Sequence, residues 1–173
     1  MTPDIGGTAG VSPAPKRPGR PRSQNGAGMR HSMKLRVYYE DTDAAGIVYY
    51  ANYLKFAERG RTELMRELGF AHSGIVAASG VVFTVRRLAA DYRLPARLDD
   101  ALSVTTQVKE IAGATLLLDQ RICRDDTVLV ALDILVACIG PDGRPRRVPP
   151  GLRAALNSTV NSSIPPSIVQ KTP

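Results

Sequence analysis

The chain has 173 residues, 43% of them hydrophobic, which suits one domain with a real core that Val, Leu, Ile and Ala must fill because Trp is absent. The net charge of +7 points to a nucleic-acid or membrane partner only until it is mapped. Residues 1–32 hold five Lys/Arg and one acid, residues 151–173 hold two Lys/Arg and no acid, and the middle is nearly neutral, so a basic nucleic-acid-binding body is excluded.

In chain order, residues 1–32 are rich in Pro, Gly, Ser and Arg, show no period, and read as a disordered basic tail. Within them "KRPGRPR" (Lys16 to Arg22) is similar to a minor-groove hook, but Pro stands where its first Arg belongs, and a solvated tail is the better reading. Lys34 to Tyr39 reads as a short strand. Residues 52–68 read as a helix, with Tyr53, Ala57, Gly60, Leu64 and Leu68 at spacings of three and four. Asn52 is the candidate cap, and Gly69 suits the left-handed position after the last turn. Gly60 in a helix interior costs about 1 kcal/mol against Ala, which makes sense where that face lies tightly on a sheet.

A Gly/Ala/Ser stretch follows, then four strand-like runs: Val81 to Tyr92, Leu102 to Ile111, Thr115 to Cys123 and Thr127 to Ile139. The breaks at Gly113 and at Arg124 to Asp126 are short enough for hairpin turns. The last run is apolar on both faces, as a central strand is. Strand, helix, then four strands in tight succession predicts an α+β domain over residues 33–156, with one antiparallel sheet and one long helix on one face. Residues 157–173 read as a loose Ser/Pro-rich tail.

Cys123 and Cys138 lie in strand-like runs and read as reduced core thiols; no spacing suggests zinc. The longest apolar run, Val128 to Ile139, contains Asp133 and is too short to span a bilayer. The N-terminus lacks an apolar core of signal type, so a cytoplasmic protein is the expectation.

The chemistry concentrates in "YYEDTDAAGIVYYANYLKFAERGRTEL", Tyr38 to Leu64. Asp41, Asp43 and Gly46 match three positions of a calcium loop. Ala45 and Asn52 then fall where oxygen ligands are required, so a metal site is rejected. An Asp-x-Asp phosphatase needs a parallel α/β frame that this chain lacks. Asp43 lies on a sterically small loop ahead of a helix start, whose free N–H groups can stabilise an oxyanion. A carboxylate facing such amides supplies a base or nucleophile and an electrophilic clamp. From the residues alone, a plain turn role for Asp43 stands beside that reading.

The same segment resembles the start of hotdog-fold acyl-CoA thioesterases, closest to the YbgC-type group associated with the Tol-Pal system, with 4-hydroxybenzoyl-CoA thioesterase a wider relative. The resemblance extends more loosely to about Pro150 and covers neither tail. It implies a long central helix wrapped by a five-stranded antiparallel sheet. It places the family's catalytic aspartate on Asp43, leaves Asp41 a turn residue, and puts the family's preceding Tyr on Tyr39. A His common in YbgC-type members falls on Tyr50, which spares a backbone N–H role and removes an imidazole.

The implied reaction is hydrolysis of acyl-CoA to free acid and CoA, with Asp43 activating water or attacking the carbonyl, and with amides near Tyr50 polarising it. Neither metal nor separate cofactor is implied, since CoA is part of the substrate. Arg86, Arg87, Arg144, Arg146 and Arg147 are candidates for the CoA phosphates. A homodimer or homotetramer with active sites between subunits is implied, and acyl carrier protein is an alternative carrier. Arg61, near the apolar stripe, reads as structural. Three alternatives remain: a non-catalytic hotdog module for acyl chains or acyl carrier protein, a hotdog dehydratase, and a DNA-tethered protein. No histidine lies between residues 33 and 71 to serve a dehydratase.

Overall fold

The computed structural model describes residues 30–161. Both expected tails, apart from their inner ends, lie outside the described residues. Five strands, β1 (His31–Arg36), β2 (Val82–Tyr92), β3 (Ala101–Ala112), β4 (Thr115–Arg124) and β5 (Thr127–Ile139), form one antiparallel sheet in the order β1-β3-β4-β5-β2. Helix α1 (Asn52–Glu67) lies on the sheet, packed mainly on β3, β1 and β4. Two shorter helices, α2 (His72–Ser79) and α3 (Pro150–Asn161), complete the described part. The predicted hotdog arrangement of one long helix against five antiparallel strands is what the chain adopts.

The last four strands fall within a residue or so of their predicted limits. The first does not. It runs over His31–Arg36, and Tyr39 belongs to a single 3-10 turn, Tyr39–Asp41. Ladder bonds to β3 hold His31 through Arg36, whereas the Asp41 carboxylate captures the Tyr38 N–H at 2.9 Å and closes the chain into a turn. A side chain has outcompeted the sheet for a backbone donor.

The structured region also exceeds its expected limits. β1 opens two residues before residue 33, and α3 continues to Asn161. α3 forms because Leu152 and Leu156, four apart, are both buried, with Pro150 in the first turn. Arg153 fastens it to the sheet by donating to the Ile111 and Gly113 carbonyls at 3.2 and 3.3 Å. α2 occupies the Gly/Ala/Ser stretch and ends on Gly80 at φ +65°. His31, assigned to the tail by sequence, is buried at the start of β1, with Nε2 3.2 Å from Glu67 Oε2.

Gly60 is where helix and sheet come closest. A Cβ there would stand 2.8 Å from Val104 Cγ1 and 3.3 Å from Gln120 Nε2 and Thr106 Oγ1. Beneath it, fully buried Gln120 donates through Nε2 to the Ala57 carbonyl (2.9 Å) and the Thr106 hydroxyl (2.7 Å). Its Oε1 accepts from Arg61 at 2.8 Å. The structural role expected of Arg61 is therefore played against β4. Burial lowers the Arg61 pKa, against the opposing pull of Glu58. On the helix surface, Glu63 pairs with Arg66, and Glu58 accepts from Thr62. Arg59 stands 6.0 Å over the Phe56 ring.

Gly60→Ala is expected to lower the melting temperature although Ala is the better helix former. Relieving the clash with the buried, β-branched Val104 costs about 1–3 kcal/mol, against about 1 kcal/mol gained in propensity. Thermal denaturation checks this; a rise in melting temperature would show that the sheet yields at that point.

Candidate active site

The loop between the 3-10 turn and α1 is a tight hairpin. Thr42 and Val48 form an antiparallel bridge, and the Asp43 N–H donates to the Ile47 carbonyl at 3.0 Å. The Gly46 N–H returns to the Asp43 carbonyl at 2.9 Å, and Gly46 takes φ +70°, a left-handed value that glycine adopts without strain. Ala44 and Ala45 leave the tip small. Asp43 is exposed at that tip.

The two aspartates have different jobs. Asp41 is buried. Its carboxylate holds the Tyr38 N–H, and its carbonyl accepts from the Tyr49 N–H and from Asn52 Nδ2, each at 2.9 Å. Asp43 Oδ1 accepts from the Ala45 N–H at 2.9 Å, which orients the carboxylate. Oδ2 makes no hydrogen bond among the described residues. The plain turn role is thus real, and it occupies one oxygen only.

Asn52 is not the cap of α1. It is the first helical residue, Ala51 stands at the cap, and the Asn52 amide reaches back to Asp41. That bond ties the start of the helix to the base of the Asp43 hairpin. The Asn52 N–H is spent on the Tyr49 carbonyl and the Leu54 N–H on the Ala51 carbonyl. Among the described residues, the N–H groups of Tyr50 and Ala51 have no partner. Free donors therefore precede the helix by one or two residues, at its positive end.

Tyrosines build the adjoining wall. Tyr50 stacks obliquely on Tyr49 with centroids 4.6 Å apart and meets the edge of Tyr92 at 6.4 Å. The Tyr92 hydroxyl donates to the Tyr50 carbonyl at 3.2 Å, and the buried Tyr53 hydroxyl accepts from the Ala96 N–H at 2.8 Å. These contacts fix the peptide around position 50 without using its N–H. Ile47, Val48, Leu94 and Pro95 complete a cleft beside Tyr50, Tyr53 and Tyr92. The Tyr49 phenol is raised above its usual pKa, first by its hydrogen bond to Tyr50, then by Tyr50's charge, burial and the charge of Asp43. Sequence reasoning missed Tyr49 and Tyr92; the repeated "YY" was visible, but the partner strand that brings Tyr92 was not.

Tyr39 is 83% exposed, and its carbonyl accepts from the Thr42 N–H and hydroxyl. It sits two residues before Asp41 at the foot of the hairpin. The arginine candidates do not gather at Asp43 within one chain. Arg87 lines a shallow groove with Glu110, Thr115 and Leu135, and Arg146 pairs with Asp142 at 2.9 Å. Arg86 lies on β2, and Arg144 and Arg147 follow β5. The guanidinium beside the tyrosine cleft is Arg93, paired with Asp91 at 3.0 Å. Among the described residues, no cluster of His, Cys, Asp or Glu could hold a metal ion, and no helix is long and apolar enough to cross a membrane.

Comparison with known proteins gives the family of the chain. The family model of the thioesterase-like superfamily matches residues 37–156. The acyl-CoA thioesterase YbgC of Haemophilus influenzae is 47% identical over 108 residues, covering 62% of this chain and 79% of that protein. The acyl-CoA thioester hydrolase YbgC of Escherichia coli is 42% identical over 122 residues, covering 69% and 90%. A probable thioesterase from Bartonella henselae superposes with a TM-score of 0.67 at 36% identity, over 69% of this chain and 99% of that one. A 4-hydroxybenzoyl-CoA thioesterase, at 21% identity, shares the fold with a TM-score of 0.70 over 73% and 98%. The chain belongs to the thioesterase-like superfamily and, within it, to the YbgC-type acyl-CoA thioesterases.

Proposed function

We propose that this chain hydrolyses acyl-CoA thioesters through Asp43, with the Tyr50 N–H as oxyanion donor. The observation that carries the reading is the pairing of an oriented, half-free carboxylate with unpaired amides across one short hairpin. Asp43 Oδ2 takes a proton from water, which adds to the thioester carbonyl; alternatively the carboxylate attacks directly and water cleaves the resulting anhydride. Either way the carbonyl oxygen gains charge as the bond forms, and the Tyr50 and Ala51 amides stabilise it at the helix start. Collapse breaks the C–S bond, releasing the acid and CoA thiol. Tyr49 and Tyr92 keep the peptide at position 50 aimed.

CoA enters as substrate, and Arg86, Arg87, Arg146 and Arg147 remain the candidates for its phosphates. They are far from the Asp43 hairpin in sequence and in the sheet. A site shared between subunits of a homodimer or tetramer is the arrangement that uses them. A panel of acyl-CoA substrates, read by thiol release, tests the function. Turnover that saturates with acyl-CoA supports it. Saturable binding of every substrate without thiol release would select a non-catalytic acyl-binding module.

A further inference from the structure

The proposed site has two halves on different elements. Asp43 sits at the tip of the hairpin, and the free Tyr50 and Ala51 amides lie at the start of α1. Hydrolysis needs both halves in one geometry, because a misplacement of about 1 Å can cost about a hundredfold in rate. Asn52 bonds to both.

Its backbone N–H donates to the Tyr49 carbonyl at 2.8 Å. That carbonyl belongs to the same planar peptide as the Tyr50 N–H and points the opposite way. The bond therefore fixes the direction of the Tyr50 N–H. The Asn52 side chain works on the other half. Nδ2 donates to the Asp41 carbonyl at 2.9 Å across eleven positions, and Asn52 is only 5% exposed. The same carbonyl accepts the Tyr49 N–H. Two residues on, the Asp43 N–H joins the Ile47 carbonyl and closes the hairpin. Among the described residues, no other side chain of α1 bonds to the hairpin or its base.

We propose that Asn52 is a positioning residue for the hydrolysis, holding the Asp43 carboxylate in register with the Tyr50 amide through the Asp41 carbonyl. It acts through Asp41 and Tyr49 and not on the substrate itself. This rests on the thioester-hydrolysis reading of Asp43. Two features separate the role from plain stability. The Asp41 carbonyl keeps the Tyr49 N–H when the Asn52 amide is removed, so no buried acceptor is orphaned and the fold loses little. Asn52 is also the first residue of α1, where Ala serves by its helix propensity and Ser is at home near the first turn. Neither can reach the Asp41 carbonyl with a donor.

Thiol release from the best substrate of the acyl-CoA panel, with binding of the matching S-alkyl-CoA thioether, which cannot be hydrolysed, reads the role. Asn52→Ala and Asn52→Ser should each lower kcat about tenfold or more. KM and thioether affinity should stay within about twofold of the parent's, the split expected of an interaction that matters only in the transition state. The melting temperature should fall by only a few degrees. Adding Asn52→Ala to Asp43→Asn should cost less than about threefold more, because the carboxylate that Asn52 positions is already gone.

Parent-level kcat in both Asn52 variants would overturn the proposal. So would a loss shared equally between rate and thioether affinity, or a full tenfold loss repeated in the Asp43→Asn background, since each marks general damage. Failure of both Asn52 variants to fold would show that the residue serves the fold itself, and would overturn it as well. Asp43→Asn at the parent rate, or no thiol release from any member of the panel, would sink the hydrolytic reading and this inference with it. A slow Asp43→Asn beside fully active Asn52 variants would remove the positioning role alone.

Discussion

Asp43→Asn should lower kcat for acyl-CoA hydrolysis at least about a hundredfold, the loss expected for a general base, with substrate binding retained. The substitution is gentle to the fold. Asn keeps an oxygen for the Ala45 N–H, the only side-chain bond that Asp43 makes among the described residues. What it removes is the free oxygen's capacity to accept a proton or attack a carbonyl. Asp41→Asn supplies the contrast, because Asn can still accept from Tyr38, and its activity should stay within a few-fold of the parent. Steady-state thiol release with a melting-temperature control measures both. Parent-level turnover in Asp43→Asn would remove the catalytic assignment. In heavy-oxygen water, label in Asp43 after a single turnover requires an anhydride that water opens at the Asp43 carbonyl; label in the acid alone fits either an activated water or an anhydride opened at its acyl side.

Tyr50→Pro should be as damaging, by about a hundredfold or more in kcat, because it deletes the N–H proposed as the oxyanion donor. Tyr50→Phe keeps that N–H and loses only the phenol, so it should be mild. The pair separates the backbone from the side chain. Proline also fixes φ where the chain enters α1, so a melting temperature near the parent's is needed before its rate is read. With that control met, a Pro variant as active as the Phe variant would move the oxyanion donor elsewhere, with the Ala51 N–H as the next amide.

Periodicity decides much of this protein. Tyr53, Ala57, Gly60 and Leu64 define the buried face of α1 wherever the helix is placed, because side chains three and four apart share a face. The later strands carry their limits in their own alternation and turns. Gly60 announced a close helix–sheet contact, since only close packing gives a glycine a reason to sit in a helix interior. The aspartate hairpin was also legible, because Asp41 and Gly46 act through bonds to residues a few positions away.

The tertiary structure decided what depends on distant partners. Local pattern alone gives no reason for β1 to stop at Arg36; the Asp41 carboxylate stops it by taking the Tyr38 amide. Asn52 looks like a cap by its place in the sequence, yet its side chain bonds to Asp41, eleven residues back, and leaves the cap position to Ala51. α3 exists because Leu152 and Leu156 find a core made by other strands. Tyr92 joins Tyr50 across forty-two positions, and β2 becomes an edge because β5 pairs with it on one side and, among the described residues, nothing pairs on the other. The residues proposed for thioester chemistry were readable from local bonds and a motif. Which surfaces folding leaves unpaired, the β2 edge among them, depends on partners distant in sequence, and a one-dimensional pattern carries no record of those.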